Sequence, residues 1–142
     1  MCYLAAAAIG SRRSGWVMVG VAGGVVFPAP LVGVDPTAAL LAMGVGFAVF
    51  GFLRGDRIDR RELGVQTLGF AGFGAIALTA MMSGPLIAAH LAAVAALGHA
   101  LWDVIHFARE KVVSRSLTEF CVVLDFGLGV LLLLTAWQVF PG

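Results

Sequence analysis

The sequence predicts an all-α fold, a polytopic transmembrane bundle of five helices with its N-terminus in the cytoplasm and its C-terminus outside. Three observations lead there. Of the 142 residues, 61% are hydrophobic and 12% charged, and the mean hydropathy is +1.00; a soluble domain has about a quarter of its residues charged. The apolar residues gather into five runs near the length that crosses roughly 30 Å of hydrocarbon, about 20 helical residues. All nine Lys and Arg residues fall outside these runs and on one side of them. Arg12 and Arg13 precede the first run, Arg54, Arg57, Arg60 and Arg61 separate the second from the third, and Arg109, Lys111 and Arg115 separate the fourth from the fifth. Short loops rich in Lys and Arg stay cytoplasmic, so this segregation sets the orientation as well as the span count.

Each span has its own boundary signals. Trp16 to Val34 is the first, and Pro28 and Pro30 are expected to break or kink its outer end, because proline lacks the amide hydrogen and clashes with the preceding turn. Asp35-Pro36-Thr37 reads as a turn and helix start, with a capping side chain and a proline tolerated in the first turn. The second span is Thr37 to Leu53, short at 17 residues. A polar stretch, Arg54 to Glu62, closes it, and Leu63 to Ser83 is the third. Gly84-Pro85 is a tight outer turn. Pro85 to Phe107 is the fourth span, Ala108 to Ser116 the basic inner loop, and Leu117 to Phe140 the fifth.

Residues 1 to 10 are apolar but too few to cross. Their arginines follow them, whereas a secretory signal carries its charge first, so an interfacial stub or the remnant of a longer start is expected. The runs lack the apolar/polar alternation of a membrane barrel. The length fits a single helical domain, 1–142. The implied partner is the lipid bilayer of the plasma membrane, with room for a homo-oligomer. No basic patch with interleaved aromatics lies outside the loops, so nucleic acid is not an expected partner.

In lipid, helices are not pressed together by the hydrophobic effect, and small residues that permit close approach carry more of the packing. Gly20 and Gly24 have that spacing in span one, Ala88, Ala92, Ala96 and Ala100 form a stripe on span four, and Gly127 and Gly129 lighten span five. The glycines of Gly69 to Ala75 lie inside an apolar span with no strand before them, so they are packing residues and not a nucleotide loop. Trp16 and Trp137 read as interfacial anchors.

The candidate chemistry lies in spans four and five. Span four carries His90, His99, Asp103 and His106, span five carries Glu119, Cys121 and Asp125, and spans one and two have no ionisable side chain. Charged groups in hydrocarbon cost roughly 2.5–3.5 kcal/mol each on insertion scales, so they face the bundle interior and find partners. His99, Asp103 and His106 stand at i, i+4 and i+7 on one helix face, and Cys121 and Asp125 share a face at i and i+4. In an antiparallel hairpin, residues whose numbers have a constant sum lie at similar depth. His99 with Asp125 and Asp103 with Cys121 both give 224, and His106 with Glu119 gives 225. The polar faces therefore meet, one to three turns from the inner surface. Glu119 is about 160° around the helix from Cys121 and has the alternative of pointing toward the loop or headgroups.

Such a cluster suits proton exchange. The candidate catalytic residues are His99, Asp103, His106 and Asp125, and Trp102, Glu119 and Cys121 are candidate substrate contacts. The same His and Asp residues are the candidate ligands for a divalent metal, although about 10 Å of helical rise between His99 and His106 strains a single ion. The cofactor is otherwise unspecified. Cys121 has no CxxC partner and reads as a small packing residue, and His90 as a local hydrogen-bonding one.

The string His99-Ala100-Leu101-Trp102-Asp103-Val104-Ile105-His106, followed by Cys121-Val122-Val123-Leu124-Asp125, resembles the H-x-x-W-D-x-x-H and C-x-x-x-D signature of small bacterial multi-pass membrane proteins of unassigned function. That family often has a second histidine directly after the first motif, where this chain has Phe107. The resemblance implies a bacterial membrane protein and no particular activity. Three readings of the cluster follow. It is an acid/base site acting on a lipophilic molecule such as a lipid or isoprenoid, a relay in a proton-coupled or ion-conducting subunit, or a His/Asp network that only sets helix packing. A relay should reach both faces, and the outer half offers only His90, Thr135 and Gln138.

Overall fold

The computed structural model describes residues 1–139, except for the side chains at positions 56, 138 and 139. The outer end of the fifth span, at Phe140, lies outside the described residues. The described chain is all-helical, with six α-helices: α1 Cys2–Ile9, α2 Ser14–Val26, α3 Pro36–Leu53, α4 Arg60–Met81, α5 Pro85–Arg109 and α6 Arg115–Val139. Four of them, α3 to α6, are long and apolar enough to cross a membrane. Their outward surfaces are apolar, with Leu53, Leu68, Met81, Leu101 and Val123 among the exposed side chains. Large apolar surface on so many faces requires an apolar solvent, and the protein is a membrane protein.

The first span differs most from expectation. Instead of reaching Val34, α2 ends at Val26 after 13 residues, about 20 Å of helix. Pro28 stops it, and a 3-10 turn, Ala29–Val32, follows and closes on Gly33 with φ 73°. α3 then starts where its capping signal lies. Asp35 accepts a hydrogen bond from the Ala38 amide at 2.9 Å, and Pro36 occupies the first helical position. α4 begins at Arg60, three residues before the expected span, because Asp59 Oδ1 accepts the amides of Arg61 (3.0 Å) and Glu62 (3.1 Å) and so starts the helix within the polar stretch.

The described contacts group the chain into two compact units. The first comprises residues 1–71 with 111–114 and contains α1, α2, α3 and the first half of α4. Here the apolar N-terminal stretch forms a helix, α1, that packs into the unit. Leu4, Ala5, Ala6 and Ala8 of α1 are fully buried, and Leu4, Ala8 and Leu63 form a core with Phe47, Ile58 and Phe70 around it. A helix this short is unstable alone, so its carbonyl end must be satisfied from outside. Gly10, at φ 72°, adopts the left-handed cap; its amide and that of Ser11 bond to Ala7 and Ala6. The last two carbonyls go to one side chain. Arg54 Nη1 donates to Ala8 O at 3.2 Å and to Ile9 O at 2.7 Å. Close approach of α1 to α3 requires Gly51, where a Cβ would lie 3.0 Å from that of Ala8 and 2.7 Å from Leu63 Cδ1.

The Arg54 contact also fixes the path of the chain. The segment that leaves α1 at Gly10 enters α2, and the segment that leaves α3 at Arg54 is back beside Ile9, so α2 and α3 make a round trip. Arg12 Nε donates to Val113 O at 3.3 Å, and Lys111 Nζ lies 3.7 Å from Glu62 Oε1. Three basic segments distant in sequence therefore share one end of this unit.

The second unit comprises, among the described residues, 72–110 and 115–139 and contains the second half of α4, α5 and α6. α5 and α6 pack along their length as a hairpin. The buried seam of α5 is Ala93, Ala96, Ala100, Asp103 and His106, so two polar residues continue a stripe of alanines. This stripe is rotated from the predicted one, since Ala88 and Ala92 lie outside the buried set. On α6, Gly129 and Ala136 are buried, and Asp125 lies one turn before Gly129. A Cβ on Gly129 would stand 2.7 Å from Leu97 Cγ and 3.2 Å from Leu97 N, so glycine sets the spacing of the hairpin there.

Candidate functional site between α5 and α6

The α5/α6 hairpin brings three of the four predicted catalytic residues together. Asp125 of α6 lies against Asp103 of α5 and interacts electrostatically with His99, one turn away on α5. Asp103 is 1% exposed, and His99 and Asp125 are half-buried. Two carboxyls brought together disfavour double ionisation, since like charges at close range repel. A carboxyl pair with an imidazole beside it is thus a unit that holds and exchanges protons.

The fourth residue, His106, is 2% exposed and lies one turn closer to the loop that joins α5 to α6. Its ring packs against Trp102 at a centroid distance of 5.0 Å. All three histidines use the same local contact: Nδ1 bonds the carbonyl four residues earlier, from His90 to Leu86 O (2.8 Å), His99 to Ala95 O (2.9 Å) and His106 to Trp102 O (2.8 Å). A carbonyl accepts only, so Nδ1 carries the hydrogen. The neutral ring then keeps its lone pair on Nε2, at the tip of the side chain.

Phe73, in the second half of α4, completes the site. Its ring stacks on His99 at 3.7 Å and 25°, and meets Trp102 edge-on at 6.4 Å and 86°. Gly98 makes the space, since a Cβ there would come within 3.1 Å of Phe73 Cε1. Sequence reasoning passed over Phe73 as one of several phenylalanines in a glycine-rich run. The available signal was the glycine preceding His99, which implies a bulky neighbour.

The remaining predicted site residues fall in different places. Trp102 is half-buried between Phe73 and His106, and Cys121 is half-buried one turn from Asp125. Glu119 is exposed at the start of α6, with Oε1 3.7 Å from Arg115 Nε, so its carboxylate takes the loop-directed alternative. Among the described residues, no group of three or more His, Cys, Asp and Glu side chains is arranged to hold a metal ion. Two buried polar residues on α4 escaped sequence reasoning, Glu62 and Gln66 of the first unit. Both stand where a polar loop passes into an apolar helix, and their one-turn spacing was the only hint.

Comparison with protein families, with curated proteins and with solved structures finds no match to this chain. The site's chemistry therefore rests on its own residues.

Proposed function

We propose that this chain is a multi-pass plasma-membrane protein of bacterial type that uses the α5/α6 site for acid/base chemistry on a lipophilic substrate, a lipid or isoprenoid. The observation that carries the proposal is Asp125 placed against Asp103 with His99 beside it. A paired carboxyl can give a proton and an imidazole with an unprotonated Nε2 can take one, the two halves of proton transfer to and from a substrate. Phe73 and Trp102 offer flat apolar surface next to these groups, suited to an unsaturated hydrocarbon.

The proposed topology has five crossings with the N-terminus inside. Arg12, Arg54 and Lys111 lie at one end of the first unit, which supports α2 and α3 crossing out and back. In this arrangement α2 is a short first crossing completed by the 3-10 turn, and the basic end is cytoplasmic. The polar site then opens toward the inner leaflet.

Deuterium exchange tests the chemistry whichever lipid is the substrate. The protein in lipid nanodiscs is incubated in heavy water with bacterial lipid extract, and the lipids are read by mass spectrometry. The wild type is expected to place solvent deuterium at carbon in one lipid class, and His99→Gln and Asp125→Asn to abolish it while remaining folded. Absence of enzyme-dependent labelling, or equal labelling by the variants, contradicts the proposal.

A further inference from the structure

The first unit holds a second polar site at the opposite extreme of chemistry, and it is independent of the acid/base reading. A cavity of about 370 Å³ opens at the basic end of the unit, lined by Arg12, Arg57, Lys111, Asp59, Glu62 and the α1 cap at Gly10 and Ser11. This volume falls within the range of small-molecule sites. Its three cations outnumber its two acids by one, and the acids have partners of their own. Asp59 Oδ1 accepts two α4 amides, at 3.0 and 3.1 Å, and Glu62, 5% exposed, lies 3.7 Å from Lys111. Arg12 lines the cavity and is held there by the bond from its Nε to Val113 O, which does not use its two terminal amino groups. Arg57 stands exposed at the rim. Two guanidinium-bearing residues from different segments thus line one hollow, and guanidinium is the side-chain group best matched to phosphate oxygens.

We propose that this cavity binds a phosphoryl group, with Arg12 and Arg57 as its principal ligands and Lys111 as a third cation that can leave Glu62 for the anion. The assembly draws one residue from each of the three basic segments. Charge retention at the inner face requires only that basic residues lie on that side, and it does not require them to surround one hollow. A phosphate suits them better than a carboxylate because it presents oxygens in three directions, matching cations that approach from three segments.

Two sources carry this group, a lipid headgroup and a soluble phosphate compound, and two arms of one experiment separate them. In the first, the full chain in phosphatidylcholine nanodiscs is titrated with inorganic phosphate and pyrophosphate by calorimetry. In the second, the chain in nanodiscs containing phosphatidic acid is analysed by native mass spectrometry for retained lipid. Arg57→Gln is the test variant, since an exposed side chain can be lost without unfolding the unit, and Arg13→Gln is the control, being a neighbouring cation outside the cavity lining. Binding in either arm, weakened about tenfold by Arg57→Gln and unchanged by Arg13→Gln, supports the site, and the arm that responds identifies the source. No binding in both arms, or equal weakening by the two variants, overturns it.

Discussion

Replacing Gly129 by alanine should push α5 and α6 apart, whereas the same replacement two residues earlier, at Gly127, should not. At Gly129 the new methyl would lie 2.7 Å from Leu97 Cγ, 2.8 Å from Leu97 Cδ2 and 3.2 Å from Leu97 N. Carbon contacts settle at about 3.5–4.0 Å. A change of Leu97 rotamer relieves the side-chain contacts, but the backbone nitrogen cannot rotate away, and the hairpin must open by a few tenths of an ångström. Overpacking of this kind costs roughly 1–3 kcal/mol. At Gly127 nothing lies within 4 Å of the added methyl. Both changes gain the same helix propensity, up to about 1 kcal/mol. The difference between the variants therefore isolates the clash, and Gly129→Ala should be the less stable by roughly 1–3 kcal/mol. Reversible denaturation in mixed micelles measures both. Equal stabilities, or greater destabilisation by Gly127→Ala, would refute the packing assigned to the hairpin.

Other substitutions probe the parts around it. Arg54→Met removes the donor shared by Ala8 O and Ile9 O; hydrogen bonds to charged groups contribute about 1.5–3 kcal/mol, so hydrogen exchange should show α1 fraying with α3 intact, and unchanged protection would contradict the cap. Phe73→Leu removes the ring stacked on His99 and should cost about 0.5–1.5 kcal/mol beyond the lost area, seen as a lower melting temperature that His99→Gln does not lower further. Burial pushes the Cys2 thiol up from its ordinary value, so less of it is thiolate at neutral pH, and thiolate is the reacting form. In a Cys121→Ala background, alkylation of Cys2 should be slow at pH 7 and rise to half its maximum only above the pH found for free cysteine; a profile matching free cysteine would contradict that burial.

The long apolar helices were legible because bilayer thickness demands long uninterrupted runs, and a run is a local property. The start of α3 was legible for the same reason, since Asp35 and Pro36 act within one turn. The constant-sum pairing of His99 with Asp125 needed only helix geometry and a short loop between the two helices. What escaped depends on partners distant in sequence. Eight residues too short to cross give no sign that they will be buried, because their burial depends on Gly51 and on a guanidinium 45 residues away. α4 started early because Asp59 outweighed the polarity of the stretch it sits in. Phe73 and Gln66 look like ordinary helix residues until a neighbouring helix is placed beside them. The first span is shorter as a helix than its apolar run because Pro28, expected to break or kink the outer end, stops α2 at Val26.

The account rests on α5 and α6 turning His99 and Asp125 toward each other. A bifunctional thiol reagent of short reach measures this directly, in a background with Cys2 and Cys121 replaced by alanine. His99→Cys with Asp125→Cys is compared with Leu101→Cys and Val123→Cys, a pair at the same depth whose native side chains are 64% and 74% exposed. The account predicts rapid cross-linking of the 99/125 pair and little of the 101/123 pair. Cross-linking of 101/123 at an equal or greater rate, or none between 99 and 125, would contradict it.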